Sequence, residues 1–283
     1  MTVAVVGLGA MGSRVAGRLL DSGYEVVVWN RTSEKAEPLV EHGASLAASP
    51  AEAAAHAEAL ITMLTGPAAL ESVAGEIAAG ASEALTVIEM STVGPAAVAR
   101  LREVLPETTG LLDAPVLGSL GEAESGALKI FVGGPAQLVE RWTTLLSVLG
   151  TPIHVGELGA GAAAKLVANT TLIATTALLG EALALGGGLG LERDRVFEVL
   201  AVTPLAAQAD RRRPAIESGD YAPRFPLALA RKDAELIVEA AAEARVDLRL
   251  VPAARTWLAD AEAAGLGTAD HAAVLAQILA SKH

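Results

Sequence analysis

One lysine stands inside an otherwise apolar segment near the middle of the chain. Lys165 lies in the run GAGAAAKLVANTT, residues 159–171, and Asn169 follows it four positions later. In a helix, side chains four residues apart share one face. Because burial disfavours the charged form of an ammonium group, a lysine in such surroundings can acquire a pKa suited to acid–base catalysis. The same pattern fits a snorkelling lysine whose aliphatic stem covers a core helix.

A glycine-rich loop near the N-terminus indicates a nucleotide. The segment VAVVGLGAMGSRVAGRLL, residues 3–20, places a G-x-G-x-x-G pattern directly after an apolar strand and at the start of a helix. In that context the glycines allow a tight turn, close approach of a pyrophosphate and close helix–strand packing, while the helix N-terminus supplies amide donors. We therefore predict that a dinucleotide is bound by Gly7, Leu8, Gly9, Ala10, Met11 and Gly12.

The end of the second predicted strand bears on which nucleotide is bound. NAD-binding proteins usually place an acid there to hold the ribose hydroxyls, whereas this chain has Asn30, Arg31 and Thr32. No carboxylate in this triplet would repel a 2′-phosphate, and a guanidinium and a hydroxyl could hold one. We expect NADPH or NADP+ to be preferred over NADH. The simpler alternative is that Arg31 is an ordinary exposed turn residue.

Short β-type runs alternate with helical segments over the first half of the chain. The predicted strands are residues 2–7, 25–30, 59–64, 85–90, 110–116 and 128–134, with 151–155 as one more candidate. Between them, residues 33–42, 50–57 and 95–105 have helical spacing. This alternation predicts an α/β fold with a doubly wound parallel sheet, that is, a Rossmann domain.

The pattern changes after Gly159, where strand signals end and alanine, leucine and glutamate dominate. The predicted helices are residues 160–187, 192–200, 206–217, 228–244, 250–264 and 270–281, separated by glycine and proline. We predict an NADP-binding Rossmann domain over residues 1–158 and an all-α domain for substrate binding and dimerisation over residues 159–283.

This boundary gives Lys165 a context. The junction between a nucleotide-binding domain and a helical domain is a common place for a cleft. There a lysine could donate a proton to a carbonyl oxygen as hydride reaches the carbon, and Asn169 could orient the substrate or the lysine. Gly161, one helical turn earlier, would leave room beside them. Spacing alone leaves both this role and the snorkelling alternative open.

Composition excludes several classes of protein. The net charge of −12 argues against a nucleic-acid partner, and the chain has no cysteine for disulfides or thiolate metal sites. We predict no metal site and a cytoplasmic location. We expect no signal peptide, because the apolar residues at the N-terminus lead directly into the glycine loop without a charged leader or a cleavage site. We expect no membrane association, because the longest weakly polar run, residues 166–191, is interrupted by polar residues and glycines. The arginine run at 211–213 could form an anion site, but we expect it to be a solvated helix surface.

Five segments, in order along the chain, resemble the β-hydroxyacid dehydrogenase family. The glycine loop is similar to the family's dinucleotide signature, and MSTVGP (90–95) fits its serine-threonine turn near the nicotinamide. DAPVLGS (113–119) resembles its substrate-binding loop, and GAAAKLVAN (161–169) matches its catalytic helix motif. SGDYAPRFPLALARKDAEL (218–236) matches a C-terminal stretch that contains the family's Lys-Asp pair. Together these segments span most of the chain.

The resemblance implies a role for each matching residue. Lys165 would be the proton donor and acceptor, and Asn169 would help to hold the substrate. Substrate binding would further involve Gly118, Ser119, Phe225 and Asp233. The cofactor would be contacted by Leu64, Thr65, Thr92 and Lys232. Judged from the residues alone, Asp233 could also serve only as a cap or ion-pair partner, and Phe225 only as a core residue.

The activity implied by the resemblance is NADP-linked hydride transfer between nicotinamide and a small aldehyde-acid or β-hydroxyacid. Leu117 stands where the family usually has serine, which weakens the assignment to a small, very polar acid and fits a substrate with a more apolar portion. An imine reductase or reductive aminase on the same scaffold is the alternative, although those relatives often replace the lysine. A nucleotide-binding module without catalysis is the alternative of another class, and retention of Lys165 and Asn169 argues against it.

The helical half also suggests self-association. The segment from Ala160 to Gly188 is apolar on more faces than one small domain readily covers. We therefore expect a homodimer or a higher homo-oligomer built on this half.

Overall fold

The computed structural model describes residues 1–281, which form two compact units. The first unit extends from Met1 to Leu166, and the second begins at Val167. The dividing point lies inside one long helix, Ala160–Gly188. The predicted domain boundary at residues 158–159 falls just before that helix.

A nine-stranded sheet forms the centre of the first unit. Its strands are β1 (Thr2–Val6), β2 (Glu25–Trp29), β3 (Ser45–Leu46), β4 (Ala59–Thr62), β5 (Thr86–Glu89), β6 (Gly110–Asp113), β7 (Val116–Leu117), β8 (Leu128–Gly133) and β9 (Gly150–Gly156). Their order across the sheet is β3-β2-β1-β4-β5-β6-β8-β7, and β9 also pairs with β8.

The sheet is parallel from β3 to β6 but not throughout. Strand β8 runs antiparallel to β6 and β7 and parallel to β9, so the predicted doubly wound sheet is predominantly parallel and contains reversed strands at this edge. Each segment predicted as a strand contains one. The predicted strand 110–116 is divided, because Ala114 and Pro115 interrupt it between β6 and β7. Strand β3 was not predicted, since two residues are too few to show a period.

Seven helices connect these strands: α1 (Ala10–Asp21), α2 (Glu37–Glu41), α3 (Pro50–Ala55), α4 (Pro67–Gly80), α5 (Pro95–Val104), α6 (Leu120–Ser125) and α7 (Ala136–Leu149). A short 3-10 turn, Ser33–Ala36, precedes α2. Helices α3, α4 and α5 each begin at a proline, which has no amide hydrogen to leave unpaired in the first turn. Ser49 also caps α3 by accepting a hydrogen bond from the Glu52 amide at 3.1 Å.

Apolar residues are buried on both faces of the sheet, as a doubly wound fold requires. Alternate residues of β1 contribute to the two cores, Val3 and Val5 to one, Ala4 and Val6 to the other. The first core also contains residues of α1 and α7, and the second contains residues of α3, α4 and α5. Helices therefore cover both faces, which leaves the carboxyl edge of the parallel strands as the place where loops can build a site.

The second unit consists of helices in the part of the chain that is described. Helix α8 (Ala160–Gly188) enters it and is followed by α9 (Arg193–Leu200), α10 (Ala206–Ser218), α11 (Leu227–Glu243), α12 (Leu250–Ala261) and α13 (Val274–Ala280). The six predicted helices match these with small differences at their ends. The segment predicted at 250–264 ends as a π-helical turn at Glu262–Leu266, where Gly265 has a φ of +88°.

The core of this unit is built from helix faces with regular spacing. Ile173, Leu179 and Leu183 of α8 are buried, and a β-carbon on Gly180 would lie 2.7 Å from Ile278 Cδ1 of α13. Helix α11 buries Ala230, Ala234 and Ile237. Small residues at 180, 230 and 234 thus let neighbouring helices approach closely.

Helix α8 is the one helix among the described residues that is long and apolar enough to cross a membrane. It has 29 residues, its most apolar window has a mean hydropathy of 1.4, and 44% of that window is buried. A buried core helix passes the same test of length and composition. The expectation that the protein does not bind a membrane therefore stays a prediction.

Candidate active site

The glycine loop between β1 and α1 leaves no space for side chains at two of its positions. A β-carbon on Gly7, whose φ is +102°, would lie 2.5 Å from the carbonyl oxygen of Met63. One on Gly12 would lie 1.9 Å from the Gly7 carbonyl oxygen. A β-carbon on Gly9 would meet no heavy atom of the described chain within 4 Å. The loop is therefore packed tightly against the sheet on its inner side and open at Gly9, where a pyrophosphate is expected.

The N-terminus of α1 has the properties of an anion site. Gly9 is its N-cap and offers no side-chain cap, and the first turn contains no acidic residue. Gly9 and Ala10 are exposed, whereas Met11 is half-buried and Leu8 is buried. The first-turn amides lack a side-chain partner and lie at the positive end of a 12-residue helix. They are therefore suited to bind a phosphate.

Asn30 connects the glycine loop with the turn after β2. Its Oδ1 accepts a hydrogen bond from the Leu8 amide at 2.9 Å, and its Nδ2 donates to the Thr32 carbonyl oxygen at 2.8 Å. These bonds give Asn30 a structural role that the sequence did not reveal, because Leu8 is distant along the chain. Arg31 and Thr32 are exposed, and the Arg31 guanidinium forms no hydrogen bond or ion pair within residues 1–281.

The ends of β4 and β5 bring the next predicted cofactor residues together. The Leu64 amide donates to Ser91 Oγ at 2.8 Å, Thr65 is exposed, and Thr92 follows directly after Ser91. The Ser91 amide donates in turn to both carboxyl oxygens of Glu89, at 3.0 and 2.9 Å. Ser91 and Glu89 were not predicted as site residues, and their link to Leu64 depends on which strands are neighbours.

Two carboxyl groups are buried side by side at the carboxyl edge of the sheet. Glu89 of β5 pairs in register with Asp113 of β6, and each side chain is about 1% exposed. Burial raises the pKa of Glu89 to about 7, against hydrogen bonds from Ser91 and Thr62 that lower it, and the neighbouring Asp113 raises it further. Burial also raises the pKa of Asp113, against backbone amides that lower it. A proton held on Glu89 near neutral pH relieves the repulsion between the pair.

Asp113 binds the start of the helix that contains Lys165. Its Oδ1 accepts from the Gly159 amide at 2.8 Å, and its Oδ2 accepts from the Ala162 amide at 2.6 Å. Lys165 follows within the next turn of α8 and is half-buried. Gly161 is required here, because a β-carbon would lie 2.3 Å from the Phe131 carbonyl oxygen and 2.5 Å from that of Asp113. The glycine therefore serves close packing, not only space beside the lysine.

The predicted substrate loop contains a capping box. Gly118 is exposed with a φ of +151°. Ser119 is the N-cap of α6: its amide donates to Glu122 Oε2 at 2.8 Å, its hydroxyl also contacts that oxygen, and its Oγ accepts from the Glu122 amide. Leu117, in β7, is 37% exposed. The amide and hydroxyl of Ser119, a predicted substrate-binding residue, are thus already bound to a carboxylate of the protein.

In the second unit, Asn169 forms part of a buried polar group with the Lys-Asp pair. Asn169 is 1% exposed, and its Nδ2 donates to Asp233 Oδ2 at 2.6 Å. Lys232 Nζ lies 2.7 Å from Asp233 Oδ1. Asn169 Oδ1 is buried without a hydrogen-bond partner in the described residues, which leaves it able to accept one. The structure brings these three predicted residues together, and their roles stay predictions.

Phe225 lies in the loop before α11, which is fixed by Asp270. The Phe225 and Arg224 amides donate to Asp270 Oδ2 at 3.1 and 3.2 Å, and the Phe225 ring packs against His271 with centroids 5.4 Å apart. Arg212 is buried, with Nη2 2.9 Å from His271 Nε2, so the expectation of a solvated arginine run is wrong at this residue. Burial lowers the pKa of His271 to about 4, which keeps the ring neutral and able to accept from Arg212.

Comparison with known proteins identifies the family. Residues 2–159 match the model of the NAD binding domain of 6-phosphogluconate dehydrogenase, and residues 159–278 match that of the NAD-binding region of NADP-dependent 3-hydroxyisobutyrate dehydrogenase. The chain is 33% identical to glyoxylate/succinic semialdehyde reductase 1 of Arabidopsis thaliana, with 100% of both chains covered. It belongs to the β-hydroxyacid dehydrogenase family. It is also 35% identical to 3-sulfolactaldehyde reductase of Escherichia coli K12, with 99% of this chain and 96% of the relative covered.

Solved structures agree with this assignment. The 3-hydroxyisobutyrate dehydrogenase of Mycobacterium tuberculosis with L-serine has a TM-score of 0.87 at 26% identity, and 99% of each chain is covered. An imine reductase of Streptomyces aurantiacus has a TM-score of 0.59 at 27% identity over 100% of both chains. Hydroxyacid chemistry is therefore better supported than the imine alternative.

This β-hydroxyacid dehydrogenase is an enzyme, an NAD(P)-dependent oxidoreductase of hydroxyacids that acts on CH–OH groups. The predicted family, fold class and reaction class are confirmed, and the alternative of a module without catalysis is wrong. Within residues 1–281, no group of three or more His, Cys, Asp or Glu side chains is arranged to hold a metal ion.

The buried Glu89 predicts a specific dependence of stability on pH. Its pKa of about 7 in the folded state exceeds the ordinary value of 4.5, so the folded protein retains a proton that the unfolded chain releases. The stability linked to this proton is fully present below about pH 4.5 and is lost as the pH rises to about 7, in total about 3 kcal/mol. Glutamine stays neutral, so Glu89→Gln should gain stability relative to the wild type over this range.

The measurement is chemical denaturation of the wild type and Glu89→Gln at intervals between pH 4.5 and pH 8. The matched control is Glu107→Gln, which replaces an exposed glutamate of the same unit. An equal pH trend in both variants would contradict the assignment to Glu89.

Proposed function

We propose that this β-hydroxyacid dehydrogenase uses NADP(H) to interconvert a small aldehyde-acid and the corresponding β-hydroxyacid, with Lys165 as the general acid and base. The observation that carries the proposal is the half-buried Lys165 on α8, which follows directly after the first turn that Asp113 holds and Gly161 packs against the sheet. Its relatives are named for reduction of glyoxylate, succinic semialdehyde and 3-sulfolactaldehyde, which all combine a carbonyl with an acidic group.

The residues of the first unit fit a nicotinamide dinucleotide. The tight contacts at Gly7 and Gly12 and the open position at Gly9 form a backbone cradle at the start of α1. Leu64, Thr65 and Thr92 would hold the nicotinamide end, and Arg31 with Thr32 would hold a 2′-phosphate. When bound, the cofactor supplies or accepts the hydride.

Lys165 would donate or accept the proton that accompanies this hydride. In reduction its ammonium Nζ donates a proton to the substrate oxygen, which prevents a free alkoxide from accumulating. In oxidation the neutral amine takes the hydroxyl proton. Lysine suits both directions, because partial burial can move its pKa toward neutrality and its point charge can approach one oxygen closely.

The substrate loop favours acids with an apolar portion. Leu117 replaces a hydroxyl with an isobutyl group, and Glu122 holds the amide and hydroxyl of Ser119. A compact dianionic substrate would be repelled by the Glu122 carboxylate. It would also lack the hydrogen bond that the family's usual serine at position 117 would donate. NADPH consumption with aldehyde-acids of increasing apolar chain length, and with cyclic imines as a comparison set, tests this substrate class. Faster turnover of cyclic imines than of every aldehyde-acid would overturn it.

Replacement of Arg31 should weaken binding of NADPH specifically. Arg31→Ala removes a charge-assisted contact to the 2′-phosphate, so NADPH affinity should fall by about 1–3 kcal/mol while NADH affinity changes little. Both affinities are measured by the quenching of protein fluorescence. The control is Arg100→Ala, which removes an exposed arginine of α5 in the same unit. Equal turnover of the wild type with NADH and NADPH, or an unchanged variant, would show that the NADP assignment is wrong.

Replacement of Lys165 should abolish most turnover without loss of the cofactor. Lys165→Ala should reduce kcat by about 10²- to 10⁴-fold, the usual contribution of a positioned proton donor. Lys165→Arg should recover little activity, because a guanidinium does not release a proton near neutral pH. The rate of hydroxyacid oxidation by the wild type should rise with pH as the lysine deprotonates.

Steady-state rates and separately measured NADPH affinities for both variants test this role. Affinity should stay close to that of the wild type, because the proposed phosphate contacts lie at the glycine loop and after β2. Near-normal kcat in Lys165→Ala would remove the central claim.

We also propose that the enzyme is a homodimer or larger homo-oligomer assembled through α8. Val167, Leu178 and Leu185 of this helix are 68, 51 and 63% exposed, and Leu189 just beyond it is 73% exposed. These residues recur at nearly helical spacing along one side. A second copy of the chain would remove this apolar side from water.

Charged residues on that side of α8 should therefore produce monomers. The double variant Leu178→Glu/Leu185→Glu should have the mass of one chain in light scattering at micromolar concentration, whereas the wild type should have at least twice that mass. Leu46→Glu, which changes a leucine of β3 that is also 51% exposed, is the control and should keep the wild-type mass. A monomeric wild type would contradict the proposal.

A further inference from the structure

One carboxylate holds the first turn of α8, and both of its oxygens accept hydrogen bonds from backbone amides there. Asp113 Oδ1 binds the Gly159 amide and Oδ2 binds the Ala162 amide, at 2.8 and 2.6 Å. Amides at a helix N-terminus have no partner within the helix, and a carboxylate there also interacts favourably with the helix dipole. The Asp113 side chain is 1% exposed, so water does not compete readily for these bonds.

Close packing leaves this turn little freedom to move. A β-carbon on Gly161 would lie 2.3 Å from the Phe131 carbonyl oxygen of β8. A β-carbon on Gly133, at the end of β8, would lie 2.3 Å from Asp113 Oδ1 itself. The helix, the carboxylate and the two strand ends therefore form one compact junction. Lys165 lies three residues after Ala162, about 4.5 Å further along the helix axis.

The same residue begins the substrate loop. Asp113 is the last residue of β6, and Ala114 donates its amide to the Glu89 carbonyl oxygen at 2.6 Å. The Phe131 amide then donates to the Pro115 carbonyl oxygen at 3.0 Å. Asp113 thus connects two elements. It begins the loop that contains Leu117, and its side chain binds the start of the helix that contains Lys165. No other described side chain accepts hydrogen bonds from the amides of both Gly159 and Ala162.

We propose that Asp113 is a positioning residue for proton transfer: by fixing the first turn of α8 against the end of β6, it sets where Lys165 Nζ stands relative to the substrate loop. The inference rests on the proposed role of Lys165. Asp113 acts through that lysine and does not itself touch the substrate.

Hydrogen bonds from backbone amides oppose the effect of burial on the pKa of Asp113. Burial raises the pKa of both carboxyl groups, but Asp113 has the amides of α8 as donors. Glu89, whose pKa is about 7, accepts hydrogen bonds from the Ser91 amide. The amides of α8 favour the charged form of Asp113, in which both of its oxygens accept hydrogen bonds.

The test is a double-mutant cycle between Asp113→Asn and Lys165→Ala. Asparagine has the same shape, but its amide nitrogen cannot accept a hydrogen bond from the helix. If Asp113 acts through Lys165, Asp113→Asn should lower kcat by about 10- to 100-fold, because small displacements of a catalytic group are costly. NADPH affinity should stay within about twofold of the wild type. In the Lys165→Ala background, the same change should lower kcat by less than about threefold.

Two further variants separate positioning from simple loss of stability. Ser49→Ala removes a different helix cap in the same unit, at α3, and should lower the melting temperature while kcat stays unchanged. Asp113→Ser keeps a small oxygen acceptor and is used if the asparagine variant fails to fold. Fluorescence titration with NADPH counts the folded binding sites, so that kcat is expressed per competent enzyme.

The outcomes distinguish this proposal from the proposed function. Near-normal kcat in Lys165→Ala would overturn the role of the lysine and this inference with it. A strong loss in Lys165→Ala together with normal kcat in Asp113→Asn, or with fully additive losses in the double variant, would overturn the inference alone. Loss of NADPH binding in both Asp113 variants would show that Asp113 is needed for folding, and this result would also overturn the inference.

Discussion

The candidate site depends on two carboxyl groups kept out of water at the carboxyl edge of the sheet. Glu89 and Asp113 are neighbours in register, and a buried carboxylate is costly unless it is protonated or hydrogen-bonded. Glu89 organises the turn that leads to Thr92 through Ser91, and Asp113 holds the start of α8. Elements from distant parts of the chain therefore meet where these two groups obtain their hydrogen bonds. The hydrogen bonds from backbone amides compensate the cost of burying the two carboxyl groups. They also fix the turn after β5 and the first turn of α8.

Much of the fold was predictable, because its signals are local and repeated. The apolar strands of residues 2–7 and 25–30 and the helices after Gly159 each extend over enough residues to show a period. Strands β3 and β7 have two residues each, and the antiparallel direction of β8 depends on pairing partners, which a period does not specify. The glycine loop was predictable in detail because its tight turn and close packing arise within a few residues.

The site was less predictable wherever a residue acts through a distant partner. Asn30 was predicted as a cofactor residue from its place after β2, but its hydrogen bond to the Leu8 amide required the pairing of β1 with β2. Glu89 has no local signal, and Asp113 was recognised only as the first residue of the segment DAPVLGS, because the pairing of the two carboxyl groups follows from strand register. Ser119 differs, because its spacing to Glu122 is a recognisable capping box, and that signal could have been used from the sequence.

The capping box gives the substrate loop a chemistry of its own. A loop that binds a small anionic acid gains most from free amides and hydroxyls, since charge-assisted hydrogen bonds are the stronger ones. Here Glu122 already occupies these donors at Ser119, and Leu117 adds apolar surface at 37% exposure. An incoming carboxylate must displace the glutamate or bind elsewhere, whereas an apolar chain needs neither. Under the proposed mechanism, Lys165 would transfer the proton for every substrate, while this loop would determine which substrates reach it.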